Sequence, residues 1–201
     1  RKLLLSKVDH FIFNSNWSLE RFKIGLNYYN YYKNNFSVVY QSVNKPKINF
    51  NKKKNVISFI GKLNRAKGYD VFGGSIIKIL NKYKDWKAIV IGDEPREKIS
   101  FQHKRLINYG YKDHKFILKK LENTSISVIC SRWNEPLGRA SLEACSRGSV
   151  PIITNRGGLP ETSKSALIIK DLNTKNLFNS IESLISNQKK LKKLQYDNYI
   201  N

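Results

Sequence analysis

The sequence predicts an α/β protein built on a doubly wound parallel sheet. Two observations carry that prediction. From residue 56 onward, short β-branched runs alternate with stretches whose apolar residues recur at helical spacing, and strand, helix, strand repeated means parallel strands joined by crossovers. Glycine turns also follow the ends of several runs, at the edge where such sheets bind ligands. The 201 residues, 40% hydrophobic and 26% charged, suffice for one full domain with a core and a fragment of a second.

Residues 1–44 hold a strand at 10–14, a helix whose start is marked by Ser15, Asn16 and Ser18, and a strand at 37–40. That is too little for an independent domain. Segment 45–55 carries one proline, three asparagines and the Lys52-Lys53-Lys54 run, and reads as a linker with a boundary near residue 50. Strands follow at 56–60, 87–91, 106–109, 125–129, 150–153 and 166–169, and helices at 69–83, 96–105, 113–123, 137–147 and 174–186. Residues 56–187 therefore form the main, Rossmann-like domain. The final stretch, 188–201, is basic and only briefly amphipathic, at Leu191 and Leu194, because Asn198 breaks the apolar face. A docked helix and a frayed tail are both compatible with it.

Lysine and arginine outnumber aspartate and glutamate 37 to 15, giving a formal net charge of +22. Such a field attracts nucleic acid, anionic lipid and phosphorylated small molecules alike. The richness in Lys, Asn and Ile extends to obvious surface positions, so most of the excess reads as compositional bias. No stretch approaches the roughly 18 apolar residues of a membrane span, and nothing at the start reads as a signal peptide. A cytoplasmic location is expected. Cys130 and Cys145 lack a CxxC partner and read as reduced core residues, so no metal or redox chemistry is implied. Methionine is absent and the chain opens at Arg1 inside an apolar-basic run, which reads as a piece of a longer protein.

The strand at 56–60 runs into Gly61-Lys62-Leu63-Asn64-Arg65-Ala66-Lys67-Gly68, directly before a helix. Two glycines let the backbone approach a ligand, and Lys62, Arg65 and Lys67 bring cationic heads suited to a diphosphate. This is neither a Walker loop nor a GxGxxG fingerprint. The richest stretch is 131–144, where Glu135 and Glu143 stand eight positions apart. On one helix that spacing separates them by about 80° and roughly 12 Å, so they do not share a face. With Pro136 opening the helix, Glu135 lies in the preceding loop and the free N–H groups of Leu137, Gly138 and Arg139 make an anion site. Glu143, about two turns in, could accept hydrogen bonds from a ribose diol. Singly, Glu135 is also what the macrodipole favours at a helix start, and Glu143 a solvated helix residue. Gly157-Gly158, after the strand at 150–153, adds a third ligand-capable loop at the same edge. The three loops together define a crevice.

In this order, GKL…KG (61–68), VIGDEP (90–95), SRWNEPLGRASLEACSRG (131–148) and VPIITNRGGLPE (150–161) resemble the donor-binding C-terminal domain of retaining glycosyltransferase family 4, of the two-domain GT-B fold. The resemblance covers roughly residues 56–187, and EPxGRxxLEA with GGLPE is its most specific part. It implies that Lys62 and Lys67 hold a diphosphate, with Gly61 in the same loop. It implies that Glu135 contacts the donor sugar as the catalytic carboxylate, beside backbone amides near Pro136, Leu137 and Gly138. Glu143 would bind the ribose, and the loop with Gly157 and Gly158 would close the site. A UDP or GDP sugar would be the donor and substrate, with no further cofactor and no catalytic metal, cations and a helix dipole stabilising the leaving group.

Three departures accompany the match: Lys62 stands for a usual Arg, Cys130 for a usual Pro and Glu94 for a usual Gly. The first gives up forked geometry, and the third adds repulsion near a phosphate if Glu94 faces inward. SKVDHFIFNSNWSLERF (6–22) with VVYQSVN (38–44) resembles the end of the family's N-terminal acceptor domain. The family's catalytic histidine lies in the missing part of that domain, so His10, His103 and His114 read as surface or helix-end residues. The acceptor is expected to be a glycan or a lipid-linked glycan, and the basic charge would also serve peripheral contact with an anionic membrane. A sugar-nucleotide epimerase of the same fold is the rival enzyme, against which the EPLGR and GGLPE spellings count. A nucleic-acid-binding module is the rival outside enzymes, but aromatics such as Tyr28, Tyr29, Tyr31 and Tyr32 do not interleave with a basic stripe, so no nucleic acid is expected.

Overall fold

A computed structural model describes residues 7–25 and 35–200 of the protein. Tyr28, Tyr29, Tyr31 and Tyr32 lie outside the described residues. The N-terminal segment pairs β1 (Phe11–Phe13) with β2 (Phe36–Val38) in parallel, joined through α1 (Asn16–Ile24). Phe11, Phe13, Phe22 and Phe36 pack their rings at centroid distances of 5.0–6.0 Å. Ser15 caps α1 by accepting from the Ser18 amide at 3.0 Å.

The main sheet comprises β3 (Lys54–Ile60), β4 (Lys87–Ile91), β5 (Leu106–Asn108), β6 (Thr124–Ile129), β7 (Val150–Thr154) and β8 (Leu167–Ile169). They lie in the order β5-β4-β3-β6-β7-β8, and every neighbouring pair is parallel. The crossovers carry α2 (Tyr69–Lys82), α3 (His114–Glu122) and α4 (Arg139–Ser146), and α5 (Thr174–Ile185) and α6 (Gln188–Ile200) close the chain. Helices on the sheet faces explain why the strands are nearly continuous runs of branched residues instead of alternating ones. Ile57, Phe59, Val90, Ile126, Val128 and Ile152 join Phe72, Ile76, Trp86 and Ile181 in one buried core.

One expectation needs correction, and one left open is decided. The segment 96–105 is not a helix. Arg96 turns back to fork the Glu94 carboxylate, while Ile99 and Phe101 pack against the core. The Phe101 ring fills the notch that Gly73 leaves in α2: a Cβ there would lie 1.9 Å from it. Arg105 then donates to the carbonyls of Tyr83 (2.9 Å), Trp86 (3.2 Å) and Leu80, capping the end of α2. These distant partners outweigh the local helical spacing. At the other end, α6 is a docked helix, not a frayed tail. Asn198 is buried in its face, donating to the carbonyls of Ser165 (3.1 Å) and Leu194 (2.7 Å) and accepting from the Ser163 hydroxyl.

Lys53, read from sequence as linker, is instead a bolt beneath the sheet. Its ammonium donates to the carbonyls of Leu121, Thr124 and Arg147, tying the ends of α3 and α4 to the start of β3. Burial pushes its pKa down to about 7. The unfolded chain, with an ordinary lysine, binds the extra proton between that value and about 10.4, so stability rises with pH there. Urea unfolding between pH 7 and 9 is expected to show a gain of up to about 1 kcal/mol per pH unit. The gain should vanish in Lys53→Met.

Candidate functional site

β3 pairs with β4 on one side and β6 on the other, so successive crossovers leave in opposite directions and open a crevice above the strand ends. A cleft of about 240 Å³ lies there. The ends of β3 and β6 form its floor, with Gly61 and Ser131 just beyond them. Lys67, Glu135, Gly138, Arg139 and Ala140 also line it.

Each polar group is held by its own local device. Asn64 accepts from the Lys67 amide at 2.9 Å, capping the short turn Arg65–Lys67 and fixing the lysine over the cleft. The Lys67 ammonium forms an ion pair with the Glu135 carboxylate. Behind Glu135, the Gly157–Gly158 loop is locked to its backbone. Residues 135 and 157 form a parallel bridge, and the Gly158 amide donates to the Glu135 carbonyl at 2.7 Å. Gly157 sits at φ +61°, and a Cβ there would meet the Glu135 carbonyl oxygen at 2.1 Å. Only glycine allows that approach.

The helix start differs from expectation. α4 opens at Arg139, not at Pro136 or Leu137, because Gly138 adopts a left-handed turn with φ +108°. Leu137 is buried and the Pro136 carbonyl is taken by Ser15 and Ser18 hydroxyls. The first-turn amides at the cleft therefore belong to Arg139 and Ala140. Glu143 stands one turn in, not two, and is 6% exposed. Its Oε1 accepts from Arg139 Nε and from His114 Nε2, both at 2.9 Å.

The structure thus brings Gly61, Lys67, Glu135 and Gly138 to one cleft. Lys62 is exposed outside its lining, Pro136 faces away, and Gly157 and Gly158 act from behind. Glu143 lies outside the lining of this cleft; sequence reasoning missed Ala140 in that lining, the contact of His114 on Glu143, and the role of Gly92. A Cβ on Gly92 would lie 1.9 Å from the Gly61 carbonyl oxygen, so this glycine lets the two loops touch. Its place in VIGDEP was the available signal. Glu94 adds no free charge: Arg96 forks it, Asn64 donates to it, and its pKa falls to about 2. Burial pushes the Cys130 thiol up to about 12, an inert core residue rather than a nucleophile.

An all-parallel six-strand sheet flanked by helices is the architecture of the GT-B glycosyltransferase domains. The chain belongs to the family of glycosyl transferases group 1, whose pattern matches residues 41–200. Spore coat protein SA of Bacillus subtilis (strain 168) is 30% identical over 159 residues, 70% of this chain and 42% of that protein. The chain spans about two-fifths of the length of the curated Bacillus relatives it matches. The C-terminal domain of a Glycosyl Transferase Group 1 family protein (LpcC) from Francisella tularensis matches at TM-score 0.64 and 25% identity, covering 72% of this chain and 82% of that one. Anabaena HepE, solved in complex with UDP-glucose, shares the fold at TM-score 0.75 and 15% identity, over 96% of this chain and 58% of its own.

The glycine lock gives a comparative test. Gly157→Ala combines backbone strain with collision against Glu135 and is expected to cost about 1–3 kcal/mol by urea unfolding. Gly61→Ala carries a φ of +146° but nothing within 4 Å of the new methyl, so its loss should be the smaller of the two.

Proposed function

We propose that this chain is the donor-binding part of a retaining glycosyltransferase that uses a UDP- or GDP-linked sugar and requires no metal. One observation carries the reading: Lys67 and Glu135 meet in the switch-point cleft beside the first turn of α4. A diphosphate needs positive charge and N–H donors, and both stand there. HepE, which shares the fold, was solved with UDP-glucose, a ligand of that class.

In this reading the diphosphate draws the Lys67 ammonium away from Glu135 and lies against the Arg139 and Ala140 amides. Lys62 reaches in from the rim as a point charge without the fork of an arginine. As the bond between the sugar and the diphosphate breaks, negative charge grows on the leaving oxygen, and the lysines and the α4 N-terminus stabilise it. Glu135, released from its ion pair, contacts the donor sugar. Glu143 takes the ribose hydroxyls. The acceptor, a glycan or lipid-linked glycan, is recognised outside this chain, so the isolated chain binds donor with little turnover. The +22 charge supports peripheral contact with an anionic membrane face. No described helix is long and apolar enough to cross a membrane.

Calorimetric titration with UDP, GDP, UDP-glucose, UDP-N-acetylglucosamine and GDP-mannose tests the assignment. One nucleotide series should bind saturably, and Glu143→Ala should weaken it by about 1.5–3 kcal/mol. Glu135→Ala should spare or tighten the bare nucleotide, since it frees Lys67, while weakening the sugar nucleotide. Equal losses for both ligands in that variant, or salt-sensitive binding of every polyanion alike, would overturn the proposal.

A further inference from the structure

Glu143 is not an isolated carboxylate. Its side chain is 8% exposed, whereas that of His114, on a different helix, is 53% exposed and covers it. His114 is the first residue of α3, whose start is fixed by Asp113 accepting from the Phe116 amide at 2.8 Å. The imidazole is therefore carried on a fixed backbone and reaches across to α4, with Nε2 at 2.9 Å from Glu143 Oε1. A carboxylate only accepts, so this contact requires the proton on Nε2.

Arg139 Nε occupies the same oxygen. Both protein donors thus converge on Oε1, and Oε2 is the oxygen left to a ligand. A terminal carboxylate torsion is broad, so without an anchor the plane of the carboxylate would vary widely. Arg139 alone is a weak anchor, being 64% exposed and on the same helix at i,i+4. The bond from α3 crosses between elements and sets the plane of the carboxylate.

We propose that His114 is a positioning residue that holds Glu143 in the orientation a vicinal diol needs, and so sets the chain's preference for ribonucleotides over deoxyribonucleotides. This rests on Glu143 serving the ribose of the donor. Two neighbouring hydroxyls donate together to the Oε2 edge of the carboxylate only if its plane is held. With a single hydroxyl that demand disappears. His114 should therefore matter for a ribonucleotide and much less for its 2′-deoxy counterpart.

The test compares dissociation constants of UDP and GDP with those of 2′-deoxy-UDP and 2′-deoxy-GDP, in the wild-type chain and in three variants. For whichever base binds, the wild type should favour the ribonucleotide. His114→Ala should shrink that preference roughly two- to tenfold, the size of one hydrogen bond's net worth. A glutamine places its amide nitrogen about where Nε2 stands and an asparagine does not reach, so His114→Gln should restore the preference and His114→Asn should not. A merely structural role would follow folding, read by circular dichroism, and would weaken both nucleotides equally. Wild-type binding with an unchanged preference in His114→Ala would overturn this inference and leave the donor-site reading standing. Failure of the wild type to bind either ribonucleotide would overturn both.

Discussion

The parallel pairing of β3 with β6 is the constraint on which the rest of the molecule depends. It brings together two strands separated in sequence by two other strands, and the loops leaving their ends diverge toward opposite faces of the sheet. The crevice is what remains between those loops. Small side chains make the pairing close: Ser58 Oγ lies 2.9 Å from Ser127 Oγ, which in turn lies 2.8 Å from Ser149 Oγ. All three serines are buried. Their hydroxyls satisfy one another, which offsets the cost of taking them out of water.

A net charge of +22 suggests a cleft bristling with free cations, but the site is built differently. Glu135 is paired with Lys67, Glu143 with Arg139, Asp70 with Arg132 and Glu94 with Arg96. The cations of these pairs are largely in contact with water, so the pairs add little stability and their value lies in placing groups. Arg132 shows this well. It forks Asp70 at 2.7 and 2.9 Å and also donates to the Arg65 carbonyl at 2.5 Å, which fastens the loop after β6 to the turn that carries Lys67. A bound polyanion would then exchange partners within a preformed array, which is cheaper than ordering loose side chains on arrival.

How much of this was legible follows from where the information sits. The six strands of the main sheet were readable because doubly covered strands are written as branched apolar runs, and their limits shifted by only a residue or two. Helix 96–105 was misread because what unwinds it is remote: the notch at Gly73 and the carbonyls at the end of α2. Pro136 looked like a helix opener because proline is favoured at that position, while the left-handed Gly138 that governs the start has no local mark distinguishing it from any other glycine. Lys67, Glu135 and Gly138 were found by motif and loop position. His114 was missed because a histidine 29 residues from its carboxylate carries no spacing signal. Asn198 broke the apolar pattern of α6, yet a buried amide with complete hydrogen bonding substitutes for an apolar residue there.

Composition put a linker at 45–55, and contacts across that segment tie Ser15, α1 and Tyr40 to the loops behind Glu135. The α1 N-terminus presents unpaired amides, and Glu161 accepts from those of Asn16 and Trp17, each at 2.8 Å, and from the Tyr40 hydroxyl at 2.8 Å. Burial alone would raise the Glu161 carboxyl, but these donors more than offset it and hold it below its ordinary value. Ser15 and Ser18 grip the Pro136 carbonyl from the same side. Glu161 follows Gly157-Gly158 and Pro136 follows Glu135, so the helix holds both halves of the glycine lock at once. The position of Glu135 is therefore a property of Ser15, α1 and Tyr40 as well as of the sheet. A hinge motion that moved α1 would pull on the two loops together, and it would reach the cleft through the backbone of the one residue that Lys67 holds from the other side.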